Sequence, residues 1–328
     1  MLEGKDVLIL GIMKNEGPYI LEWVAHHLSV GVDRFMIFSN DCDDGTDLIL
    51  DRLAAHIPMR HQPNPKSLFP DRGNWHVMAL RYAALFNDYK SAGWIYITDA
   101  DEFLQIAPGD GTLEDFAAAA GRFDAVSFTS MPFSSNGVIA LDNRPVMEQF
   151  TRASKPYAKL REEGTAVLNA VKTMLRNSVR FDMRRNHRPL HNGFSSAGLR
   201  WVDGSGNDMD AEFTDGKAKA ANPLTTTDLA WFNHYAIKSA EAFMVKVDRG
   251  DGAGVDRLEK SLSYWRGYNQ QGDEDHRASV LRPRAREILD GFMADPLLAE
   301  LHQQAFDIHK TKAGRLRQLP QNQVFLSG

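Results

Sequence analysis

Short apolar runs and amphipathic helical patterns alternate over the first hundred residues of the chain. The apolar runs have the composition of strands that are buried on both faces of a parallel sheet. They lie at Val7–Met13, Arg34–Ser39, 57–61 and Trp94–Ile97. Apolar residues at helical spacing predict helices over 18–30, 46–55 and 74–92. Strands that alternate with helices in this way indicate parallel βαβ units, and therefore an α/β fold.

The second hundred residues follow a less regular pattern. A helix is predicted over 112–121 and a strand over 124–129. Gly, Asn and Pro are then frequent over 131–223, with local strand signals at 170–175 and 198–202. A region of this kind either builds a binding surface on the scaffold or forms long connections between elements.

The last hundred residues are predicted to be mostly helical. Ser239 caps a helix that extends to about Arg249, and helical patterns continue up to a basic tail. We expect the charges of this tail to be solvated rather than to anchor the chain to a membrane. These patterns predict a first domain over 1–238, with two halves over about 1–130 and about 131–238, and a helical C-terminal extension over 239–328.

The stretch WIYITDADEFL, at residues 94–104, carries the strongest chemical signal. Its apolar run stops at Thr98, and Asp99, Asp101 and Glu102 follow within four residues. Open α/β sheets bind their ligands at the carboxyl ends of strands, and clustered carboxylates suit Mg²⁺ or Mn²⁺. If this segment is extended, Asp99 and Asp101 point to the same side. The alternative is an acidic surface loop, because Asp is a common turn residue.

Three polar loops follow predicted parallel strands and are expected to meet at one edge of the sheet. They are the segments 14–17, 40–45 and 99–102. The dinucleotide fingerprint G-x-G-x-x-G and the P-loop pattern are both missing from the sequence. A nucleotide diphosphate can still bind here through a metal held by the acids, and Asp43 or Asp44 would then accept hydrogen bonds from the ribose or base.

Composition and charge fit an ordinary globular enzyme. The 328 residues are 43% hydrophobic and 25% charged, and the net charge is -5, which gives no reason to expect nucleic acid as a partner. The single cysteine, Cys42, rules out a disulfide within the chain and fits a reducing compartment. The sequence has no apolar run long enough to span a bilayer and no signal-peptide pattern at its start, so a cytoplasmic location is expected.

Three stretches in a fixed order resemble a known family. They are KNEGPYILEWVAHHLSVGVDRFMIFSNDCDDGT, WIYITDADEFL and NHYAIKSAEAFMVKVDRG. Over roughly residues 5–250 the chain resembles the family 2-like glycosyltransferases of the GT-A fold, close to the branch related to family 92. The resemblance implies a GT-A (Rossmann-like) fold, with a mostly parallel sheet flanked by helices over 1–238. Its first half, about 1–130, would bind the nucleotide, and its second half, about 131–238, would bind the acceptor. It also implies transfer of a sugar from a nucleotide-sugar, with UDP-sugars first, to an acceptor hydroxyl in glycan or polysaccharide synthesis.

The resemblance also assigns roles to residues of this chain. Asp99 and Asp101 match the D-x-D motif, and His234 matches a late histidine, so these three would hold Mn²⁺ or Mg²⁺. Asp101 is the more direct ligand of the two acids. The residues placed at the nucleotide-sugar are Lys14, Asn15, Glu16, Asp43, Asp44, Asp99, Lys238 and Lys246. A metal there neutralises the charge that develops on the departing nucleoside diphosphate.

The acceptor side is marked less clearly by the sequence. An inverting reaction needs a base for the acceptor hydroxyl, and Glu148, His187 and His191 are the candidates. His187 and His191 are four apart, a metal spacing on a helix, but Pro189 between them argues against that helix. A basic set is suited either to an anionic acceptor or to a solvated face, and it consists of Lys172, Arg176, Arg180, Arg184, Arg185 and Arg188.

Two other classes of protein remain open from the sequence. Haloacid dehalogenase-like phosphohydrolases also place D-x-D after a buried strand, but Phe103 stands where their motif usually has Thr or Val. Three predicted strands also precede this one, whereas their nucleophile strand tends to come first. The second alternative is a module that binds a glycan or nucleotide-sugar without turnover.

Overall fold

The computed structural model describes residue 2 and residues 6–71, 73–154, 170–179, 187–189, 198–214, 226–250, 257–275 and 281–326. The strands of these residues are β1 (Val7–Met13), β2 (Arg34–Ser39), β3 (Met59–Pro63), β4 (Trp94–Ile97), β5 (Glu102–Ile106), β6 (Ala125–Pro132), β7 (Arg152–Ser154), β8 (Val171–Arg176), β9 (Trp201–Asp203), β10 (Ala230–His234) and β11 (Gln271–Glu274). The α-helices are α1 (Gly17–Ser29), α2 (Thr46–Leu53), α3 (Trp75–Ala83), α4 (Asn87–Ser91), α5 (Leu113–Ala120), α6 (Val146–Gln149), α7 (Ala211–Thr214), α8 (Ala240–Arg249), α9 (Arg257–Tyr268), α10 (Pro283–Met293) and α11 (Pro296–Leu316).

One large sheet organises the described part of the chain. Its strands lie in the order β3-β2-β1-β4-β8-β6-β10-β5, and β9 also pairs with β6. Neighbours among β3, β2, β1 and β4 are parallel, whereas β8 is antiparallel to β4 and β6, and β5 is antiparallel to β10. The predicted fold class is confirmed: a mostly parallel α/β sheet flanked by helices, with further helices at the C-terminal end.

The strands at the centre of the sheet are buried on both faces because their apolar runs alternate between two packing layers. Leu8 and Leu10 of β1 pack with α3, and Ile9 between them packs in the larger core that contains α1. This arrangement explains why these strands are near-continuous apolar runs rather than alternating ones.

Two local expectations were wrong. The helix predicted over 74–92 is broken into α3 and α4, because Phe86 adopts an extended conformation and packs against Tyr82. The acidic segment is a turn and not an extended segment: the amide of Glu102 donates a hydrogen bond of 3.1 Å to the carbonyl oxygen of Asp99. The turn leads directly into β5, so Asp99 and Asp101 have different neighbours.

The C-terminal helices pack on the first part of the chain. Ala285 and Phe292 of α10 and Leu298 and Ala305 of α11 are buried in the same hydrophobic core as α1. In the basic tail, Lys312 pairs with Asp248 at 2.9 Å and Arg317 with Glu241 at 3.2 Å. The division at residue 238 stays a prediction. Among the described helices, none has the length and apolar character that a bilayer span requires.

Candidate active site

The acidic turn between β4 and β5 is held by a tryptophan of helix α1. The indole N–H of Trp23 donates hydrogen bonds to the carbonyl oxygens of Asp99, at 3.0 Å, and Glu102, at 2.9 Å. Trp23 is fully buried and packs against Phe35 of the neighbouring strand. The backbone of the turn is therefore fixed by the core, and its carboxylates are presented from a rigid base.

Asp101 and His234 come together because β10 pairs with β5. His234 lies opposite Glu102 in the antiparallel register, and the amide of Tyr235 donates to the carbonyl oxygen of Asp101 at 2.9 Å. His234 Nε2 lies 3.7 Å from Asp101 Oδ1, and Lys246 Nζ lies 2.7 Å from Asp101 Oδ2. The two residues that the sequence placed in one site are neighbours in the structure.

The electrostatics of this pair favour a neutral imidazole beside an ionised carboxylate. Burial lowers the pKa of His234 to about 4, even though Asp101 acts in the opposite direction. Burial alone would raise the pKa of Asp101, but Lys246 and His234 outweigh it and hold that pKa below its usual range. A neutral imidazole and a carboxylate are the protonation states that bind a metal ion.

Asp99 faces a different set of partners from Asp101. Lys172, fully buried on β8, lies with its Nζ 2.6 Å from Asp99 Oδ2 and 3.2 Å from Glu102 Oε2. His76 Nε2 lies 4.0 Å from the other oxygen of Asp99. Glu102 also accepts hydrogen bonds from the Thr98 hydroxyl and the Asp99 amide. Burial and the two aspartates raise the pKa of Glu102 to about 8.

The donor set around Asp101 fits a divalent cation. Ligand atoms of Asp101, Glu102 and His234 all lie within 4.8 Å of one another. Two ligands of one Mg²⁺ lie at most about 4.2 Å apart, twice the ligand distance of about 2.1 Å, and the 3.7 Å between His234 and Asp101 satisfies this limit. The structure thus groups Glu102, which the sequence had not assigned, with Asp101 and His234. The carboxylate of Asp99 is occupied by Lys172, and its role as a metal ligand stays a prediction.

The loop at residues 14–17 is held by Arg249, at the end of α8. Its guanidinium donates to the carbonyl oxygens of Lys14 and Asn15, the latter at 2.7 Å, and pairs with the Glu16 carboxylate at 2.5 Å. Asn15 is in the left-handed region, with φ of 50°. Its side chain accepts a hydrogen bond of 3.0 Å from the Asp43 amide and donates one to the Asp43 carboxylate.

Asp43 and Asp44, which the sequence could not separate, have opposite environments. Asp43 is exposed, whereas Asp44 is buried at 1% exposure. Both oxygens of Asp44 are engaged: one by the Gly17 amide and His309, the other by the amide and hydroxyl of Thr46. Of the two, only Asp43 therefore has a carboxylate that is accessible from solvent.

Two lysines from the C-terminal side of β10 complete a narrow cleft with the 14–17 loop. Lys238 is buried, with φ of 55°, and its ammonium lies 4.2 Å from the centre of the Tyr19 ring. Burial lowers the pKa of Lys238, although Glu16 and Asp101 oppose this shift. Lys246 bridges Asp101 and the carbonyl oxygen of Ala236, each at 2.7 Å. Asn15, Glu16, both lysines and Arg249 line this cleft.

Unlike His234, the candidate bases for the acceptor hydroxyl are not seen in contact with Asp101 in the described part of the chain. Glu148 pairs with Arg286 of α10, and no contact between it and the acidic turn occurs within the described ranges. His187 Nδ1 lies 3.2 Å from the carbonyl oxygen of Val171. Although the residue is exposed, partial desolvation of its ring together with nearby Lys172 lowers its pKa. His187 is thus close to the Asp99 side of the site, whereas His191 lies outside the described residues.

The described members of the basic set each contact another residue of the same chain. Lys172 pairs with the acidic turn, and Arg176 lies 3.3 Å from Asp124. Arg188 donates to the carbonyl oxygen of Phe213 and lies over its ring. Arg180, Arg184 and Arg185 lie outside the described residues. An anionic acceptor stays a prediction, and these three contacts give it no support.

Besides Glu102, three residues of the site were not assigned to it from the sequence: Trp23, Lys172 and Arg249. A signal existed for Lys172, because a lysine within the strand predicted at 170–175 must be paired if the strand is buried. Trp23 and Arg249 carry no such signal, since a tryptophan on an apolar helix face and an arginine at a helix end are ordinary features.

The sheet and the loops that converge at its edge define an α/β fold with the candidate site at the carboxyl ends of its strands. A family model described as "Glycosyltransferase family 92" matches residues 14–200, more than half of the chain. The chain belongs to glycosyltransferase family 92. This confirms the family resemblance drawn from the sequence.

Two curated relatives share the first part of the chain. A glycosyltransferase family 92 protein of Oryza sativa subsp. japonica is 30% identical over 111 residues, and one of Ricinus communis is 28% identical over 105 residues. These matches cover 34% and 32% of this chain. They cover 18% of each relative, so the chain spans about a fifth of the length of the curated relatives it matches.

Similarity to solved structures is weak. A structure of S. aureus TarS 1-349 in complex with UDP has a TM-score of 0.35 and 11% identity, with 95% of this chain and 91% of that one covered. Mycobacterium tuberculosis glucosyl-3-phosphoglycerate synthase with Mn²⁺ and UDP-glucose has a TM-score of 0.31 and 17% identity, with 53% and 57% covered. Similarities at these scores assign neither a ligand nor a mechanism to this chain.

Proposed function

We propose that this protein is a metal-dependent glycosyltransferase of the hexosyltransferase type. It transfers a sugar from a nucleotide-sugar, with UDP-sugars as the first donors to test, to the hydroxyl of an acceptor in glycan or polysaccharide synthesis. The observation that carries the proposal is the distance of 3.7 Å between His234 Nε2 and Asp101 Oδ1. The pair lies at the edge of the sheet where the loops 14–17, 40–45 and 99–102 meet. Membership of family 92 supports the same reaction.

Asp101 and His234 would hold the cation, and Glu102 lies close enough to join them. The carboxylate of Asp99 would be restrained by its ion pair with Lys172. When bound, Mn²⁺ or Mg²⁺ neutralises negative charge on the departing nucleoside diphosphate. Lys238 and Lys246 add positive charge to the same cleft, in fixed positions that require no rearrangement as the leaving group departs. Lys246 would exchange its contact with Asp101 for the diphosphate.

The loop residues would bind the nucleoside. Asp43 is exposed and would accept hydrogen bonds from the ribose or base, and Asn15 next to it is held in its left-handed conformation. Lys14 and Glu16 flank the same position. Asp44 has both oxygens occupied, so its part is to shape the loop. His187, on the Asp99 side, is the first candidate for the acceptor base, ahead of Glu148, which is paired with Arg286.

Donor hydrolysis and binding test the proposal directly. The full chain is incubated with a panel of nucleotide-sugars with Mn²⁺, Mg²⁺ or EDTA, and release of nucleoside diphosphate is measured. Release that requires the metal is expected, and Asp101→Asn should reduce it by about a hundredfold or more, because one charged ligand is lost. Asp43→Asn, outside the proposed metal site, should mainly raise the donor KM.

Three results would contradict the proposal in different ways. Release that is unaffected by EDTA or by Asp101→Asn would rule out the metal site. Binding of nucleotide-sugars without release or transfer to any acceptor would indicate a binding module. Hydrolysis of phosphomonoesters, without activity on nucleotide-sugars, would indicate a phosphohydrolase.

A cytoplasmic location remains part of the proposal.

A further inference from the structure

His309 of helix α11 contacts the loops that form the proposed nucleotide pocket. Its Nε2 lies 2.8 Å from Asp44 Oδ2, and the side chains of His309 and Asp44 are 4% and 1% exposed. The imidazole N–H therefore donates to a carboxylate that is shielded from water, where such a bond is stronger than at a surface. His309 also contacts the Tyr19 ring edge-on and lines the cleft beside Lys238.

The backbone of α11 approaches the start of α1 closely. A Cβ atom at Gly17 would lie 2.6 Å from the Cβ of Ala305 and 3.1 Å from Asp44 Oδ2. The amide of Gly17 donates to the same Asp44 oxygen at 3.0 Å. Only glycine fits here, and the contact shows that α11 and the 14–17 loop are packed as one unit.

Asp44 and Thr46 then join the two nucleotide loops. The second oxygen of Asp44 accepts from the Thr46 amide at 2.9 Å and from its hydroxyl at 2.6 Å. The Thr46 hydroxyl oxygen in turn accepts from the Glu16 amide at 2.9 Å. A continuous series of buried hydrogen bonds therefore runs from His309 through Asp44 and Thr46 to the backbone of Glu16.

We propose that His309 is a positioning residue for nucleotide recognition. It fixes the Asp44 carboxylate, and through it the 14–17 and 40–45 loops, in the geometry in which Asn15 and Asp43 meet the nucleoside. This inference rests on the proposed function for the identity of the ligand. His309 and Ala305 lie outside the stretch 14–200 that matches the family model, so this chain supplies part of its donor pocket from its C-terminal helices.

Local amide exchange in the free protein tests the positioning role without any ligand. Hydrogen exchange is followed by mass spectrometry in peptides that cover residues 14–24 and 40–50. His309→Ala should speed exchange in these peptides about tenfold relative to the rest of the chain, which corresponds to a charged hydrogen bond worth roughly 1.4 kcal/mol. His309→Gln keeps an N–H donor and should restore most of the protection. The matched control is His302→Ala on the same helix, where the imidazole contacts Asn143 at 2.9 Å.

Binding of UDP with Mn²⁺, measured by calorimetry, provides the functional readout. His309→Ala should raise the Kd of UDP about tenfold, with kcat for any turnover reduced much less than KM rises. The Kd of UDP for His309→Gln should lie within about threefold of that of the original protein, and His302→Ala should not change this Kd. If His309→Ala fails to fold, Thr46→Val breaks the same series of hydrogen bonds without leaving a large cavity, and it should show the same exchange pattern.

The outcomes separate this inference from the proposed function. Unchanged exchange in both peptides for His309→Ala, or an equal effect of His302→Ala, would overturn the positioning role. Faster exchange limited to these peptides, with rescue by Gln, would support it even if the protein does not bind UDP, in which case only the proposed donor would be wrong. A uniform loss of stability with unchanged UDP affinity would show a purely structural histidine.

Discussion

The ammonium group of Lys172 lies 2.6 Å from a carboxylate oxygen of Asp99, although the two residues are 73 positions apart in the chain. Lys172 is fully buried in β8, between β4 and β6, and it also contacts Glu102 at 3.2 Å. Burial would lower the pKa of Lys172, but the two carboxylates outweigh it and raise that pKa. The site therefore carries a fixed internal counter-ion to the acidic turn.

Removal of this counter-ion should destabilise the protein strongly. Lys172→Met keeps most of the side-chain volume but leaves Asp99 and Glu102 without their cation, and a buried pair that loses one partner costs about 3 kcal/mol. Urea unfolding at pH 7 measures the loss. Adding Asp99→Asn should recover part of it, because Asp99 is the ionised carboxylate that loses its ammonium partner. Lys90→Met, at an exposed lysine, is the control, and a Lys172→Met variant as stable as this control would contradict the pairing.

The indole N–H of Trp23 should matter more for metal binding than its ring does. Trp23→Phe keeps most of the packing but leaves the carbonyl oxygens of Asp99 and Glu102 without this donor, which costs about 1–3 kcal/mol and loosens the turn. The affinity for Mn²⁺, followed by calorimetry, should fall about tenfold. Phe35→Leu, which removes the ring that packs on Trp23, should lower stability and leave Mn²⁺ affinity unchanged. Equal effects of the two variants on metal affinity would contradict this role.

The central strands and the meeting of the loops were predictable because they depend on local pattern and on strand direction. Val7–Met13, Arg34–Ser39 and Trp94–Ile97 are strands with the predicted bounds. Since β1, β2 and β4 are parallel, the loops that follow them lie at one edge. The proximity of His234 to Asp101 followed from the family resemblance, not from any local signal.

Other features depend on distant neighbours and left no local trace. Asp43 and Asp44 are adjacent in sequence, and the difference between them comes from His309, 265 positions from Asp44. The break near Phe86 has no Gly or Pro to mark it, and it reflects packing against Tyr82 and beneath the Arg60 guanidinium. Tertiary contacts override helix propensity at such positions.

Acid should destabilise the protein through the buried histidines of α1. Burial lowers the pKa of His26 from 6.5 to about 4, and its Nε2 donates to the carbonyl oxygen of Leu104 at 2.6 Å. Below pH 6.5 the unfolded chain binds a proton that the folded protein does not, so this contribution to stability is present above pH 6.5 and is lost as the pH falls toward 4. For His26 alone the loss at pH 5 is on the order of 2 kcal/mol.

The variant His26→Gln tests this contribution, because the amide can still donate to Leu104 but does not titrate. Urea unfolding between pH 7.5 and pH 5 should give a smaller decrease in unfolding free energy for the variant than for the original protein. Burial also lowers the pKa of His27, so part of the pH dependence should remain. An identical pH dependence in both proteins would show that His26 has the same pKa in the folded protein as in the unfolded chain, so that burial does not lower it.

A lysine should not be able to replace Arg249 in holding the 14–17 loop. Its guanidinium contacts the carbonyl oxygens of Lys14 and Asn15 and the Glu16 carboxylate at once, which one ammonium group cannot reproduce. Because these contacts hold Asn15 in its left-handed conformation, Arg249→Lys should weaken binding of UDP with Mn²⁺ about tenfold, the effect of roughly one charged hydrogen bond. The control Arg81→Lys makes the same exchange on the exposed surface of α3 and should leave the affinity unchanged. If Arg249→Lys binds the nucleotide as tightly as this control, the 14–17 loop keeps its shape without the guanidinium, and the clamp from α8 has no part in nucleotide binding.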